Sequence, residues 1–299
     1  MLLALITACS SHKIISIHKQ NNPSTSGTEF FKKVTEWHWR ERDSLATSLI
    51  LSGDVPECWQ RFVRIRTRIT DSSTGHHICA SYYVSPDYIC IGTNEDWARI
   101  PLTPMAAQKI ADSLGCFLPT RKIVDDIYAQ ARIKLEPIPM YAFRDSSITM
   151  WQHHLMIEGQ RKGRKGLIAG IKKDVVISGK ISRDPRPDRV AIYGWHKPAA
   201  APAAAPSGLS SGTPAGAPSG ISPGRAPGTP AAVPIQPLYT GHVNWYADYS
   251  HGIRLVYKTI WVNGKPMDYT EVLQNPTLRR LLCDEENCDF YRYPTMSRP

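Results

Sequence analysis

The sequence predicts an α+β fold with a mainly antiparallel sheet, N-terminal and mid-chain helices and one long disordered insert. Three observations support this class. Residue character alternates strictly over 61–70, apolar residues recur at helical spacing over 30–51, and a Pro/Ala/Gly-rich stretch covers 198–234. With 299 residues, 42% of them hydrophobic, the chain can bury a substantial core, so disorder throughout is excluded.

Helix-forming patterns occur at both ends of the chain and in its middle. The run from Phe30 to Leu51 predicts an amphipathic helix or a helix pair. Thr103 followed by Pro104 predicts a helix start, because proline at the first turn loses no hydrogen bond. Two further helices are predicted at 121–131 and 270–282.

Strand patterns fill most of the remaining chain. Over 61–70 the alternation predicts a half-buried strand, and 78–84 and 88–91 would extend it into an antiparallel meander. Asn263-Gly264 is a strong turn signal. Further strands are predicted at 150–157, 167–171, 175–177, 190–193, 243–246, 253–257 and 259–262.

The insert at 198–234 contains no aromatic residue and one charge, Arg225. Such a segment cannot bury enough apolar surface to offset its ordering entropy, so we expect it to be disordered. The flanking stretches 190–196 and 235–239 are predicted to be two halves of one hairpin with a lengthened loop, because loop-closure cost grows only logarithmically with length. Residues 29–299 would then form a single domain.

The N-terminus suggests export. Ile6-Thr7-Ala8-Cys9 ends a short apolar run and resembles the lipobox of bacterial lipoproteins, which implies lipidation of Cys9. Residues 1–9 would be the signal segment and 10–28 a flexible tether, and the protein would be extracytoplasmic and anchored to the membrane surface. No Lys or Arg precedes the apolar run, and a buried N-terminal strand is the alternative.

The charge balance favours anionic partners. Lys and Arg number 36 against 26 Asp and Glu, a net charge of +10, which suits an anionic polymer, an acidic glycan or lipid headgroups. The densest basic run, 161–165, lacks zinc-finger spacing or an RNP-like aromatic motif, so nucleic acid is disfavoured as a partner.

Six cysteines follow Cys9, an even number that fits an oxidising compartment. Cys283 and Cys288 flank an acidic tetrapeptide and are predicted to close a small loop. The other four are predicted to pair among themselves, with the connectivity open: Cys58, Cys79, Cys90 and Cys116.

The best candidate site is 241–254, which combines two histidines, a carboxylate, a hydroxyl and an arginine. His251, His242 and the upstream His196 are acid/base candidates because imidazole titrates near neutrality. Asp248 would orient a histidine, and Ser250 is the candidate nucleophile, with His242 or His196 rather than its neighbour as partner. The residues predicted to bind substrate are Arg254, Trp195, Tyr246, Arg161 and Lys173. The alternative is a turn in which Asp248 and Ser250 satisfy backbone donors.

A second candidate is a divalent-metal site. In an extended strand His154, Met156 and Glu158 would face one way, so His154 and Glu158 could be ligands. No H-E-x-x-H or similar spacing accompanies them, so no cofactor is predicted firmly. The alternative is that Glu158 pairs with neighbouring Arg161.

Ser250-His251-Gly252-Ile253-Arg254 resembles the Ser-His-Gly-Cys-Ile/Val-Arg signature of L,D-transpeptidases, and 192–196 is similar to that family's upstream Ile-His-Gly strand. The catalytic cysteine of that signature is absent, so the resemblance implies only a cell-wall substrate. We therefore expect a hydrolase of a cell-envelope or extracellular polymer, peptidoglycan or polysaccharide. The alternative is a non-catalytic lipoprotein that binds a glycan or an anionic ligand.

Overall fold

The computed structural model describes residues 12–15, 17, 24–197 and 233–295. In these ranges the chain is a mixed α+β protein with seven α-helices and antiparallel sheets, 29% helix and 28% strand, which confirms the predicted fold class. Nine of the eleven strand pairings among these residues are antiparallel.

The helices are α1 (Gly27–Lys33), α2 (Trp39–Leu51), α3 (Pro104–Ser113), α4 (Arg121–Gln130), α5 (Ser147–Arg161), α6 (Gly179–Ser182) and α7 (Tyr269–Gln274). The predicted starts of α3 and α4 are confirmed, since the side chains of Thr103 and Thr120 each accept a hydrogen bond from the first helical turn. The C-terminal helix is shorter than predicted, because Pro276 holds Asn275 extended, and a 3-10 helix follows at Leu278–Leu281.

The strands are β1 (His12–Ile14), β2 (Arg61–Thr70), β3 (His77–Val84), β4 (Cys90–Gly92), β5 (Trp97–Arg99), β6 (Cys116–Phe117), β7 (Ile133–Lys134), β8 (Ile168–Ala169), β9 (Lys173–Val176), β10 (Arg189–Lys197), β11 (Val233–Val243), β12 (His251–Gly252), β13 (Val256–Tyr257), β14 (Thr259–Val262) and β15 (Lys265–Asp268). A seven-stranded sheet has the order β1-β2-β3-β13-β6, with β14 paired to β3 and β15 paired to β14. A four-stranded sheet has the order β11-β10-β9-β12, and β4-β5 and β7-β8 form two small sheets.

The two flanks of the insert pair with each other. In the β10–β11 hairpin Arg189 lies opposite Val243 and Lys197 lies opposite Val233, as predicted for one hairpin with a long connection. Strand β11 begins at Val233, so the last two residues assigned to the insert belong to the sheet. Residues 198–232, to which the prediction of disorder applies, lie outside the described residues.

The segment predicted as a tether contains ordered structure. His12–Ile14 pairs with β2, and the side chain of Ile15 is buried in the main core. Ser26 caps α1 through a capping box with Glu29, so folding begins before residue 29. The segment 10–28 is polar on average, so its composition did not indicate that Ile15 packs in the core. Cys9 and the signal-like segment lie outside the described residues.

The predicted strand at 150–157 is wrong, because these residues belong to α5. Met150, His153, His154 and Ile157 are buried, and their spacing of three, four and seven residues is that of one helical face. The predicted meander is also only partly right: β2 pairs with β3, whereas β4 pairs with β5.

Cys283 and Cys288 form the predicted disulfide. The prediction that the other four cysteines pair is wrong, since Cys58, Cys79, Cys90 and Cys116 are free thiols. Cys90 and Cys116 are buried in strands of different sheets, and Cys58 and Cys79 are exposed. Closeness along the chain therefore does not bring these sulfur atoms together.

One continuous apolar core joins the two large sheets. Ile65 of β2, Ile110 of α3 and Ile192 of β10 all belong to it and are fully buried. The four-stranded sheet ends at β12, the edge strand beside β9. The loop after β11 returns to the sheet at this edge. Among the described residues, no helix has both the length and the apolar character needed to cross a bilayer.

Candidate functional site

The loop between β11 and β12 brings most of the predicted site residues together. The ring of His242, at the end of β11, lies 5.7 Å from the ring of His251 and 4.9 Å from that of Tyr246, measured between centroids. Asp248 and Ser250 lie in the same loop and are fully buried, whereas His242 and Tyr246 are half-buried. The loop therefore brings two imidazoles close to a buried carboxylate.

Asp248 organises this loop through both of its oxygens. Its Oδ1 accepts hydrogen bonds from the backbone N–H of Ser250 at 2.8 Å and from the Ser250 hydroxyl at 2.6 Å. Its Oδ2 accepts from Arg144 Nη2 at 2.8 Å and from the Tyr246 hydroxyl at 3.2 Å. The turn geometry that we considered as an alternative is thus present, and the Ser250 hydroxyl is engaged with Asp248 rather than with a histidine.

The neighbours of Asp248 keep its carboxyl group ionised. Burial alone raises the pKa of a carboxyl group, but His251, the two bonds from Ser250 and the Arg144 guanidinium together lower the pKa of Asp248 below its usual range. At neutral pH His251 is uncharged, so Ser250 and Arg144 are then the groups that keep Asp248 ionised. The site contains a buried, permanent negative charge.

Both histidines of the site are neutral at pH 7. Burial lowers the pKa of His251 to about 4, although Asp248 opposes this effect. Burial also lowers the pKa of His242. The Nε2 atom of His251 is buried, makes no hydrogen bond, and lies 3.9 Å from Asp248 Oδ1. Asp248 therefore faces His251 without a direct hydrogen bond.

Lys173 and Trp195 adjoin this group through the sheet. Lys173 of β9 lies opposite His251 in the parallel pairing of β9 with β12, and its backbone N–H donates to the carbonyl of Ser250. Its Nζ atom lies 4.5 Å from the centre of the Trp195 ring, a cation–π contact. Burial lowers the pKa of Lys173.

Two aromatic residues near the site have unusual backbone geometry. Trp195 has φ of 57° and Phe143, next to Arg144, has φ of 44°. Positive φ is uncommon for bulky residues and costs roughly 1–3 kcal/mol, and such strain clusters at functional sites. The Phe143 side chain is 82% exposed and that of Tyr141 is 89% exposed, so this loop presents apolar rings to solvent beside the Arg144–Asp248 ion pair.

Several residues that anchor the site could not be found from sequence spacing. Lys172 is fully buried, and its Nζ atom donates to the carbonyl of Tyr249 and lies 3.1 Å from His153 Nδ1. Tyr249 accepts a bond from the Met140 N–H and donates its own N–H to the carbonyl of Arg144. Arg144 and Lys172 are 104 and 77 residues from their partners in this loop, so only the fold brings them in.

His196 occupies a different place. Its Nε2 atom lies 2.8 Å from Asp125 Oδ1, and its ring stacks on Tyr128 of α4 at 4.6 Å. The Tyr193 hydroxyl donates to the same carboxylate. The contacts of His196 thus join the end of β10 to α4, whereas those of His242 and His251 lie in the β11–β12 loop.

His154, Glu158 and Arg161 form another separate network, centred on Arg99. Arg99 Nη1 lies 2.7 Å from Glu158 Oε1, and the Arg99 N–H donates to His154 Nδ1. Arg161 pairs with Glu158 as well, which is the arrangement that we gave as the alternative to metal binding. A guanidinium therefore occupies the position where a cation would bind. Within the described ranges no three His, Cys, Asp or Glu side chains are grouped as a metal site.

Arg254 lies in the core rather than at the surface of the site. Its guanidinium donates to the carbonyls of Ser85 and Ile168 and lies 4.3 Å from the Tyr88 ring centre. The side chain is 1% exposed, so an incoming anion has no open path to it in this structure.

Comparisons with models of protein families, with curated proteins and with solved structures found no match. The case for function therefore depends on the geometry of the site.

Proposed function

We propose that the protein is an exported, lipid-anchored hydrolase of a cell-envelope or extracellular polymer, with peptidoglycan or polysaccharide as the substrate class. The observation that carries this proposal is the contact between His242 and His251 beside the buried, ionised Asp248. Two imidazoles that are uncharged at neutral pH can accept a proton, and a fixed carboxylate stabilises the cation that results.

The half-buried His242 is the group that meets the substrate in this proposal. It takes a proton from the water that attacks the scissile bond and then gives that proton to the leaving group; His251, in ring contact with His242, positions it, and the charge of Asp248 stabilises the imidazolium. Ser250 remains a candidate nucleophile, but its hydroxyl would first have to leave Asp248, so water is the simpler attacking group.

Aromatic and cationic side chains supply the contacts to the polymer. Trp245 and Tyr239 are each 45% exposed on the two sides of His242 along the chain, and such rings suit the apolar faces of sugars. Lys173 and Arg144 would bind anionic groups on the substrate. The Cys283–Cys288 disulfide fits the oxidising compartment that export implies.

The test is turnover of purified polymers by histidine variants. The full chain is incubated with peptidoglycan sacculi and with acidic and neutral polysaccharides, and soluble fragments are identified by mass spectrometry. We expect His242→Ala and His251→Ala each to reduce turnover by about 10²-fold or more, the usual contribution of a general acid or base. The matched control is His76→Ala, which changes an exposed histidine between β2 and β3, far in sequence from the 242–251 loop. This variant should keep full activity.

Two outcomes would count against the enzyme. Folded His242→Ala and His251→Ala proteins with full turnover would remove the acid–base role. A wild-type protein that binds a polymer and releases no fragment would instead support the second candidate, a non-catalytic lipoprotein that binds a glycan or anionic ligand. The burial of His251 and Asp248 favours that candidate, because neither side chain can contact a polymer directly.

A further inference from the structure

One side of the seven-stranded sheet is both basic and aromatic. In β2, Ile65 and Ile69 point into the core, so the alternate residues Arg66 and Arg68 point outward. Paired residues on neighbouring strands point to the same side of a sheet. Arg66 lies opposite Ser81, and Ser81 lies opposite Trp261, so all three belong to this side. We call this surface the basic sheet face; it consists of Lys13, Arg64, Arg66, Arg68, Tyr83, Tyr257 and Trp261.

Arg66 and Arg68 of the basic sheet face provide unneutralised charge. Arg66 and Arg68 are exposed, and neither forms an ion pair with another described residue. They lie two residues apart on a strand, about 7 Å along its axis. The acidic groups near the ends of these strands, Asp71 and Asp268, accept hydrogen bonds within their own turns. The face therefore keeps a net positive charge.

The aromatic rings lie beside this charge. The rings of Tyr83 and Trp261 are 5.5 Å apart, and Tyr257 stacks on Trp261 at 6.4 Å. Lys13 of β1 places its Nζ atom 4.2 Å above the Tyr257 ring. All three rings are half-buried, so part of each ring is accessible beside the cationic groups. Flat, amphipathic rings beside Lys and Arg are typical of the interfacial region of a membrane.

We propose that the basic sheet face docks on the surface of an anionic lipid bilayer. A sheet face offers a broad, shallow surface rather than a groove, as a planar partner requires. Guanidinium groups bind phosphate headgroups in bidentate fashion, and each basic residue near an anionic surface contributes to binding. This surface lies in a different sheet from the His242–His251 loop, so the inference does not depend on hydrolysis; only its support from Cys9 rests on the proposed lipid anchor.

The position of β1 agrees with this orientation. Strand β1 pairs with the edge of β2 and carries Lys13 of the basic sheet face. Only three residue steps separate His12 from Cys9, a reach of at most about 11 Å. The lipid anchor on Cys9, which belongs to the proposed function, would therefore enter the bilayer close to this face.

The experiment measures binding to vesicles by the full chain with Cys9→Ser, so that no acyl chain contributes. Flotation compares vesicles of phosphatidylcholine alone with vesicles of equal parts phosphatidylglycerol and phosphatidylcholine. We expect binding only to the anionic vesicles, and a drop of about thirtyfold in partitioning for Arg66→Gln with Arg68→Gln. The matched control, Lys32→Gln with Lys165→Gln, removes the same charge from exposed positions outside the face and should weaken binding by less than about threefold.

Three results would overturn the proposal. The first is equal loss in the arginine pair and the lysine pair, which would mean that net charge alone drives binding. The second is no preference for anionic vesicles. The third is tighter binding to heparin or to single-stranded DNA, in competition with the vesicles, which would assign the face to a soluble polyanion. Quenching by brominated lipid gives an independent readout, because it should decrease in Trp261→Phe.

Discussion

At the scale of single residues, Asp248 determines what the site can do. A buried carboxylate is costly unless its lone pairs are satisfied, and here Ser250, Arg144 and Tyr246 supply the donors. Because these donors occupy the carboxylate, His251 is left 3.9 Å away with an unbonded Nε2 atom. The carboxylate thus acts on His251 through its charge rather than through a hydrogen bond.

This leads to a prediction for Asp248→Asn. The asparagine oxygen can still accept the bonds from Ser250, but the charge that stabilises the His251 imidazolium is lost. The pKa of His251 should therefore fall below its wild-type value of about 4, and stability should fall by about 1–2 kcal/mol through the lost bond to half-exposed Arg144. The imidazole resonances of His251, followed by NMR against pH, report the first effect and urea unfolding reports the second.

The control for this variant is Asp145→Asn, which removes an exposed carboxylate one residue from Arg144. It should leave the titration of His251 unchanged. An unaltered His251 titration in Asp248→Asn would show that the carboxylate does not act on that ring, and the acid–base assignment would lose its basis.

The part of the site that lies within one short segment could be predicted from sequence, and the rest could not. His242, Asp248 and His251 are close because a single loop carries them, so local composition was informative. His196 is on β10, a strand of the same sheet, yet α4 holds its side chain through Asp125 and Tyr128. The contributions of Arg144 and Lys172 arise from contacts between distant segments, which no spacing rule encodes.

At the scale of elements, α5 shows why short apolar runs are ambiguous. Its sequence, with paired histidines and a Met-Ile step, fits alternation over a few residues as well as it fits a helix. Two features favour the helix. Ser146 is a helix-capping residue, and the fifteen residues that follow it are more than an ordinary strand contains. By contrast the β10–β11 hairpin was predictable, because each flank carries its own strand pattern whatever the loop between them does.

The cap of α5 gives a prediction at this scale. The Ser146 side chain accepts a hydrogen bond from the Thr149 N–H at 3.2 Å, so Ser146→Ala should lower the free energy of unfolding by about 1 kcal/mol. Ser146→Asp should retain most of that stability, because aspartate also caps helices well. Ser44→Ala, in the exposed middle of α2, is the control and should change stability by less than about 0.5 kcal/mol. Chemical denaturation that finds equal effects at 44 and 146 would contradict the capping role.

At the scale of the whole molecule, buried charge ties the core to the site. Lys172 is fully buried between His153 of α5 and the Tyr249 carbonyl, and Tyr249 in turn fixes the loop that contains Arg144. The single core that joins the two large sheets leaves this ammonium group little water. The protonation of Lys172 is therefore linked to the stability of the entire fold.

The consequence is a rise in stability above neutral pH. Burial, together with Arg99, lowers the pKa of Lys172 to about 7, whereas an unfolded lysine titrates near about 10.4. Between those values the unfolded chain binds one more proton than the folded chain. The free energy of unfolding should therefore increase with pH by up to about 1.4 kcal/mol per unit between the two pKa values. Below the folded pKa both states bind the proton, so this slope should vanish.

Lys172→Met should remove the slope, whereas Lys165→Met, at an exposed site, should retain it. Urea unfolding at several pH values above 7 measures the difference, and parallel curves for wild type and Lys172→Met would show that Lys172 is charged in both states.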